Sequence, residues 1–173
     1  MRQFKVALAI ALAVGLQSAL RNIWPPLRYI DLPLILAVYY ALRREATVSL
    51  VVAAVAGVAA DALSSGLLGA GGFSKTVAVF LTLSLALRVM VDNPLARVPV
   101  LAGAAAVANL VYIGLQYLFG QPIEQPGLVE SVAWQLFATT AAGSFVMLLI
   151  DNFFSDRARQ RRQFATRRKF SRR

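Results

Sequence analysis

The sequence predicts an all-α integral membrane protein with about six transmembrane helices in one bundle. Its 173 residues are 58% hydrophobic, whereas soluble domains average about 45–50% apolar residues. Residues 6–16 are apolar on every helical face, and backbone in lipid must satisfy its hydrogen bonds within a helix or a closed barrel. A barrel strand would alternate apolar and polar residues over about ten positions. Uninterrupted apolar runs therefore favour helices.

The first predicted helix, 4–20, begins between Arg2 and Lys5 and precedes a proline pair. Alone it could pass for a secretory signal peptide, because small residues follow its apolar stretch. The further apolar segments favour an uncleaved helix instead. Pro25 and Pro26 end it, since neither proline can continue a helical hydrogen-bond ladder.

The second predicted helix, 27–42, is short, because a span needs about 20 residues and at least about 17. Asp31 followed by Pro33 is typical of an N-cap with a first-turn proline. If this segment is re-entrant, the two termini lie on opposite sides of the membrane. A charged turn and further polar turns then separate the remaining predicted helices, which are 46–63, 73–91, 98–119 and 128–154. The membrane domain is thus predicted at 1–155, with a basic tail at 156–173.

Six spans place both termini on one side, and the distribution of Lys and Arg indicates which side. Of the 18 basic residues, 15 fall on the side of the termini and three on the other. Without the tail the division is still six to three. Cytoplasmic loops carry the excess of Lys and Arg, so both termini are predicted to be cytoplasmic.

The tail supplies half of all the basic residues, and the chain has a net charge of +10. Basic clusters next to a last membrane helix are attracted to anionic lipid, although docking to a cytoplasmic protein is an alternative. Nucleic acid is not expected, because no binding fold or aromatic platform accompanies the charge. The candidate contact residues are Arg157, Arg159, Arg161, Arg162, Arg167, Arg168, Lys169, Arg172 and Arg173.

No catalytic constellation is visible in the sequence. The chain has neither Cys nor His, which excludes thiol nucleophiles, imidazole acid–base chemistry and the usual zinc sites. The acidic residues are spread over different helix ends, so no cofactor, metal or enzymatic activity is predicted. The few polar residues within the apolar segments are interpreted as interhelical hydrogen-bonding groups; they are Gln17, Asn109, Gln116, Gln135, Thr139, Thr140 and Ser144.

The most distinctive stretch lies between the third and fourth predicted helices. Asp61 ends an apolar segment, and glycines at 66, 69, 71 and 72 follow it. An ionisable residue at a membrane edge is a functional candidate, while the structural alternative is an interfacial Asp before a Gly-rich turn. We predict a shape-fixing element or partner surface formed by Asp61, Gly66, Gly69, Gly71 and Gly72.

These features resemble the bacterial rod-shape-determining protein MreD family. The resemblance covers nearly the whole chain and depends on residues 31–44, Asp-Leu-Pro-Leu-Ile-Leu-Ala-Val-Tyr-Tyr-Ala-Leu-Arg-Arg, and on residues 57–72. It implies a non-enzymatic scaffold of the cell-wall elongation complex in the bacterial cytoplasmic membrane. Its implied partners are MreC and, with it, MreB, RodA and the transpeptidase that works with RodA.

The resemblance also implies a fold like that of the substrate-binding subunits of energy-coupling-factor vitamin transporters. A solute-binding transport subunit is therefore the alternative function, because fold does not fix function. This alternative requires a polar or aromatic pocket near the outer face. Its candidate residues are Trp24, Tyr29, Tyr112, Tyr117 and Trp134, which are also typical of an aromatic interface belt.

Overall fold

A computed structural model describes residues 2–23, 27, 29–64, 67–89, 94–120, 127 and 129–149. Within these residues the chain is all-helical, as the sequence predicts, and contains no strand. The predicted tail and Gly66 lie outside the described residues. Six helices follow one another: α1 (Arg2–Ile23), α2 (Leu32–Leu42), α3 (Ala46–Ala62), α4 (Ala70–Arg88), α5 (Pro94–Leu118) and α6 (Val129–Leu149).

Three of these helices are long and apolar enough to cross a membrane. They are α4, the part of α5 from Ala96 to Leu118, and α6. The apolar part of α1 (Val6–Ala19) is shorter, as are α2 and α3. Helix α2 has 11 residues and is about 16 Å long, roughly half the thickness of a bilayer core. A crossing at this position therefore requires residues before Leu32 in addition to the helix itself.

Helix α1 begins at Arg2 rather than at residue 4, and α5 begins at Pro94 rather than at residue 98. Two further helix starts differ from the sequence prediction, each for a local reason. Helix α2 begins at Leu32 rather than at residue 27, because Asp31 is its N-cap and accepts a hydrogen bond from the Leu34 amide. Pro33 lies in the first turn, which confirms the predicted cap. Helix α4 begins at Ala70 rather than at residue 73, so Gly71 and Gly72 belong to its first turn and not to a loop.

The short helix α2 is the centre of the bundle. It packs against α1, α3, α4 and α5, and its residues Ala37, Val38 and Ala41 are completely buried. Helix α6 reaches the same core through Gly143, where an added Cβ would collide with side chains of Leu101 and Ile35. No residue of α2 is exposed, so the helix packs mainly against neighbouring helices, which explains why α2 can be short.

Helices α5 and α6 lie at the outside of the described bundle. About half of the most apolar stretch of α4 is buried inside the protein. The buried share of the corresponding stretch is only 22% in α5 and 17% in α6. Large side chains such as Leu110, Phe137 and Phe145 are more than half exposed. An apolar exterior over spans of this length is what a lipid environment requires.

Candidate functional site

Asp61 joins the end of α3 to the start of α4. Its Oδ2 accepts hydrogen bonds from the backbone amides of Gly71, at 2.8 Å, and Gly72, at 3.2 Å. The N-cap residue of α4 is Gly69, which has a φ of +88° and no side chain to provide a cap. The first amides of a helix need an acceptor, and a carboxylate there also interacts favourably with the helix dipole. Asp61 therefore caps a helix that is not its own.

The same junction depends on close approach of the two helix backbones. A Cβ on Gly57 would lie 2.5 Å from the Cα of Gly72, and one on Gly72 would lie 2.6 Å from Cγ2 of Val58. A Cβ on Gly71 would collide with the Asp61 carboxylate. Helices α3 and α4 thus meet at glycines, the small-residue packing that membrane helices favour.

Asp31 forms a second buried polar junction, between α2 and α4. Its Oδ1 caps α2 by accepting from the Leu34 amide, and its Oδ2 lies 3.0 Å from Nζ of Lys75. The side chains of Asp31 and Lys75 are only 8% and 11% exposed. Two ions removed from water are costly unless they are paired and hydrogen-bonded, and here each compensates the other.

Thr139 connects α6 to this junction. Its hydroxyl accepts a hydrogen bond from the Asp31 amide at 3.2 Å and donates one to the Tyr29 carbonyl at 3.1 Å. The side chain is completely buried. Thr139 thus forms an interhelical bond of the kind predicted for the polar residues of the apolar segments, although its partners are backbone groups.

A polar cavity of about 200 Å³ lies between these two junctions. The end of α1, the start of α2, the end of α3 and the start of α4 meet there, together with parts of α5 and α6. Its polar side chains are Gln17, Asp31, Asp61, Ser74, Lys75, Asn109, Tyr112 and Gln135. Gln17 is 7% exposed, and within the described part of the chain its Oε1 has no hydrogen-bond partner.

The predicted site residues divide into those that the structure brings together and those that it does not describe. Asp61, Gly71 and Gly72 meet at one hydrogen-bonded junction, and Gly69 is the N-cap of the helix involved. Of the aromatic candidates, Tyr112 lines the cavity, whereas Tyr117 and Trp134 are exposed. Trp24, Gly66 and the nine basic tail residues lie outside the described residues.

The ion pair of Asp31 with Lys75 is the feature that sequence reasoning missed. The sequence predicts Asp31 as a helix cap but does not indicate a partner for Lys75. The available signal was a single Lys within an apolar helix, because such a residue usually pairs with an acid inside the bundle.

Comparison of the chain with protein-family models, with curated proteins and with solved structures finds no match.

Proposed function

We propose that the chain is a non-enzymatic membrane scaffold of the cell-wall elongation complex, similar to MreD, which binds MreC and supports rod shape and lateral peptidoglycan synthesis. In this proposal it is a multi-pass protein of the bacterial cytoplasmic membrane with six spans and both termini in the cytoplasm. RodA, its partner transpeptidase and MreB belong to the same assembly, and anionic lipid binds the basic tail. The proposal stems from the resemblance of residues 31–44 and 57–72 to the family.

The observation that supports a structural role is the use made of the two buried carboxylates. The Asp61 carboxylate accepts hydrogen bonds from two backbone amides. The Asp31 carboxylate pairs with Lys75 and accepts a hydrogen bond from the first turn of α2. Both therefore hold helix ends in place. They also belong to the two segments that carry the resemblance.

The loop between α3 and α4 is the proposed partner surface. Leu68 lies there and is 70% exposed, while the neighbouring Asp61 junction fixes the course of the chain. In this proposal the Leu68 side chain contacts a helix of the partner.

Co-purification from the native host in mild detergent, followed by mass spectrometry, tests the proposal. We expect recovery of MreC with elongation enzymes and no stoichiometric solute. Leu68→Asp should reduce MreC recovery by changing the surface alone, and Asp61→Leu should reduce it by releasing the start of α4. The matched control is Leu87→Asp, which changes an exposed leucine at the opposite end of α4 and should leave recovery unchanged.

Two results would contradict the scaffold proposal. One is failure to recover MreC with the wild-type chain, whereas normal MreC recovery with both Leu68→Asp and Asp61→Leu in correctly inserted protein would contradict the proposed partner surface. The other is recovery of a vitamin with ATPase subunits, which would favour the alternative of a solute-binding transport subunit. The polar cavity beside Asp31 and Asp61 is the observation that keeps this alternative open.

A further inference from the structure

The polar cavity contains an acceptor that the described residues leave unused. Gln17 is 93% buried in α1 and lines the cavity, yet its Oε1 accepts no hydrogen bond from them. A buried carbonyl oxygen without a donor costs free energy, so a group carrying N–H or O–H is needed in the cavity. Gln17 also borders a second, much smaller cavity together with Ala60, the residue that precedes Asp61.

The charge of the lining indicates what kind of donor fits. The described lining contains two carboxylates, Asp31 and Asp61, and one cation, Lys75. Lys75 pairs with Asp31 at 3.0 Å, so the negative charge of Asp61 is not paired with a cation among the described lining residues. An ionised carboxylate offers about four acceptor positions, and the two amide bonds to Asp61 use part of that capacity. Among the described lining residues, Gln17 and Asp61 therefore contribute acceptors, and Asp61 contributes a negative charge.

The size of the cavity limits the occupant. A volume of about 200 Å³ lies below the range of about 300–1,000 Å³ typical of sites for drug-sized ligands. A primary ammonium group on a short chain fits these limits, because it brings three N–H donors, no acceptor and one positive charge.

We propose that this cavity binds a small primary ammonium group, held by Gln17 Oε1 and the Asp61 carboxylate. Such a group could belong to a free alkylamine or to the headgroup of an aminophospholipid. The chemistry is the same in both cases. Binding of an ammonium group goes beyond the proposed scaffold function. It is a property of the chain itself and does not require the elongation complex.

The test uses the purified full-length chain in nanodiscs of phosphatidylcholine and phosphatidylglycerol, which contain no aminophospholipid. Binding of radiolabelled ethanolamine is measured with methylammonium, glycerol and acetate as competitors. We expect saturable binding that methylammonium displaces and that glycerol and acetate do not. In a second arm, native mass spectrometry compares retention of phosphatidylethanolamine and phosphatidylcholine after mixed-lipid reconstitution.

Gln17→Met removes the acceptor while keeping the length of the side chain, and should weaken binding about tenfold or more. Gln116→Met is the matched control, because Gln116 is a half-buried amide on α5 outside the cavity lining. Ethanolamine binding would identify a free amine as a possible occupant, and selective retention of phosphatidylethanolamine would identify the lipid. Either result supports the proposal if Gln17→Met weakens it and Gln116→Met does not.

Three outcomes would overturn it. These are absence of both ethanolamine binding and selective lipid retention, displacement by glycerol as effective as that by methylammonium, and equal binding by wild type and Gln17→Met. The first would mean that the cavity holds only water, the second that binding does not depend on an ammonium group, and the third that Gln17 is not the acceptor. No partner protein is present in these assays, so a negative result would not affect the MreC proposal. The co-purification experiment tests that proposal separately.

Discussion

The two buried carboxylates each fix the start of a helix, but they have different partners. Asp61 reaches the start of α4 from another helix and binds backbone amides. Asp31 caps its own helix, and its second oxygen binds the ammonium group of Lys75. One charge is thus stabilised by the partial charges at a helix N-terminus, and the other by a full cation.

This difference determines what each junction requires of the sequence. The Asp61 junction requires side chains to be absent, because a Cβ at Gly71 would occupy the place of the carboxylate. The Asp31 junction requires one particular side chain to be present. Loss of a partner charge should therefore be most damaging at Asp31, and gain of a methyl group should be most damaging where α3 meets α4.

Removing the cation from the Asp31 junction should have the largest effect on stability. Lys75→Met leaves a buried carboxylate without its partner, which costs about 3–5 kcal/mol of unfolding free energy in comparable cases. The measurement is reversible unfolding in mixed micelles, followed by circular dichroism. The double variant Asp31→Asn with Lys75→Met should recover most of the loss, because Asn still caps a helix and carries no charge.

That double variant also makes the prediction easy to contradict. If it is as unstable as Lys75→Met, the loss arises from the packing of the Lys75 side chain and not from an uncompensated charge. If Lys75→Met itself unfolds like wild type, the ion pair contributes nothing to stability.

A methyl group added where the two helix backbones meet should have the next largest effect. In Gly57→Ala the new Cβ would lie 2.5 Å from the Cα of Gly72, so the helices must separate, at a cost of about 1–3 kcal/mol. The matched control is Gly103→Ala on α5, where a Cβ meets nothing within 4 Å. The control should be neutral or stabilising by up to about 1 kcal/mol, since alanine favours a helix. Equal stability of the two variants in the same unfolding assay would contradict close contact of α3 and α4.

The helices themselves follow from local sequence, and this is why they could be predicted. Apolar runs and the Asp31 to Pro33 cap are local signals, and both appear in the structure. The start of α4 could not be placed correctly, because Gly71 and Gly72 have low helix propensity. Their helical conformation is supported by a carboxylate about ten residues earlier in the chain.

The cavity was beyond prediction for a related reason. Gln17, Asn109 and Gln135 were interpreted as groups that hydrogen-bond between helices, but all three line one cavity. Asp31 and Lys75 are 44 positions apart in the sequence, and only the packing of α2 against α4 brings them together. A spacing pattern carries no information on such a pair without the topology of the bundle.

Loss of the Thr139 hydroxyl should have the smallest effect of the three. Thr139→Val removes the hydrogen bonds to the Asp31 amide and the Tyr29 carbonyl, and we expect a loss of about 1 kcal/mol. The cost should stay small because Asp31 borders the cavity, where water can replace the lost acceptor. Thr139→Ser keeps the hydroxyl and should remain close to wild type in the same unfolding assay. If Ser and Val destabilise equally, the methyl group and not the hydroxyl is what holds α6 against the Asp31 junction.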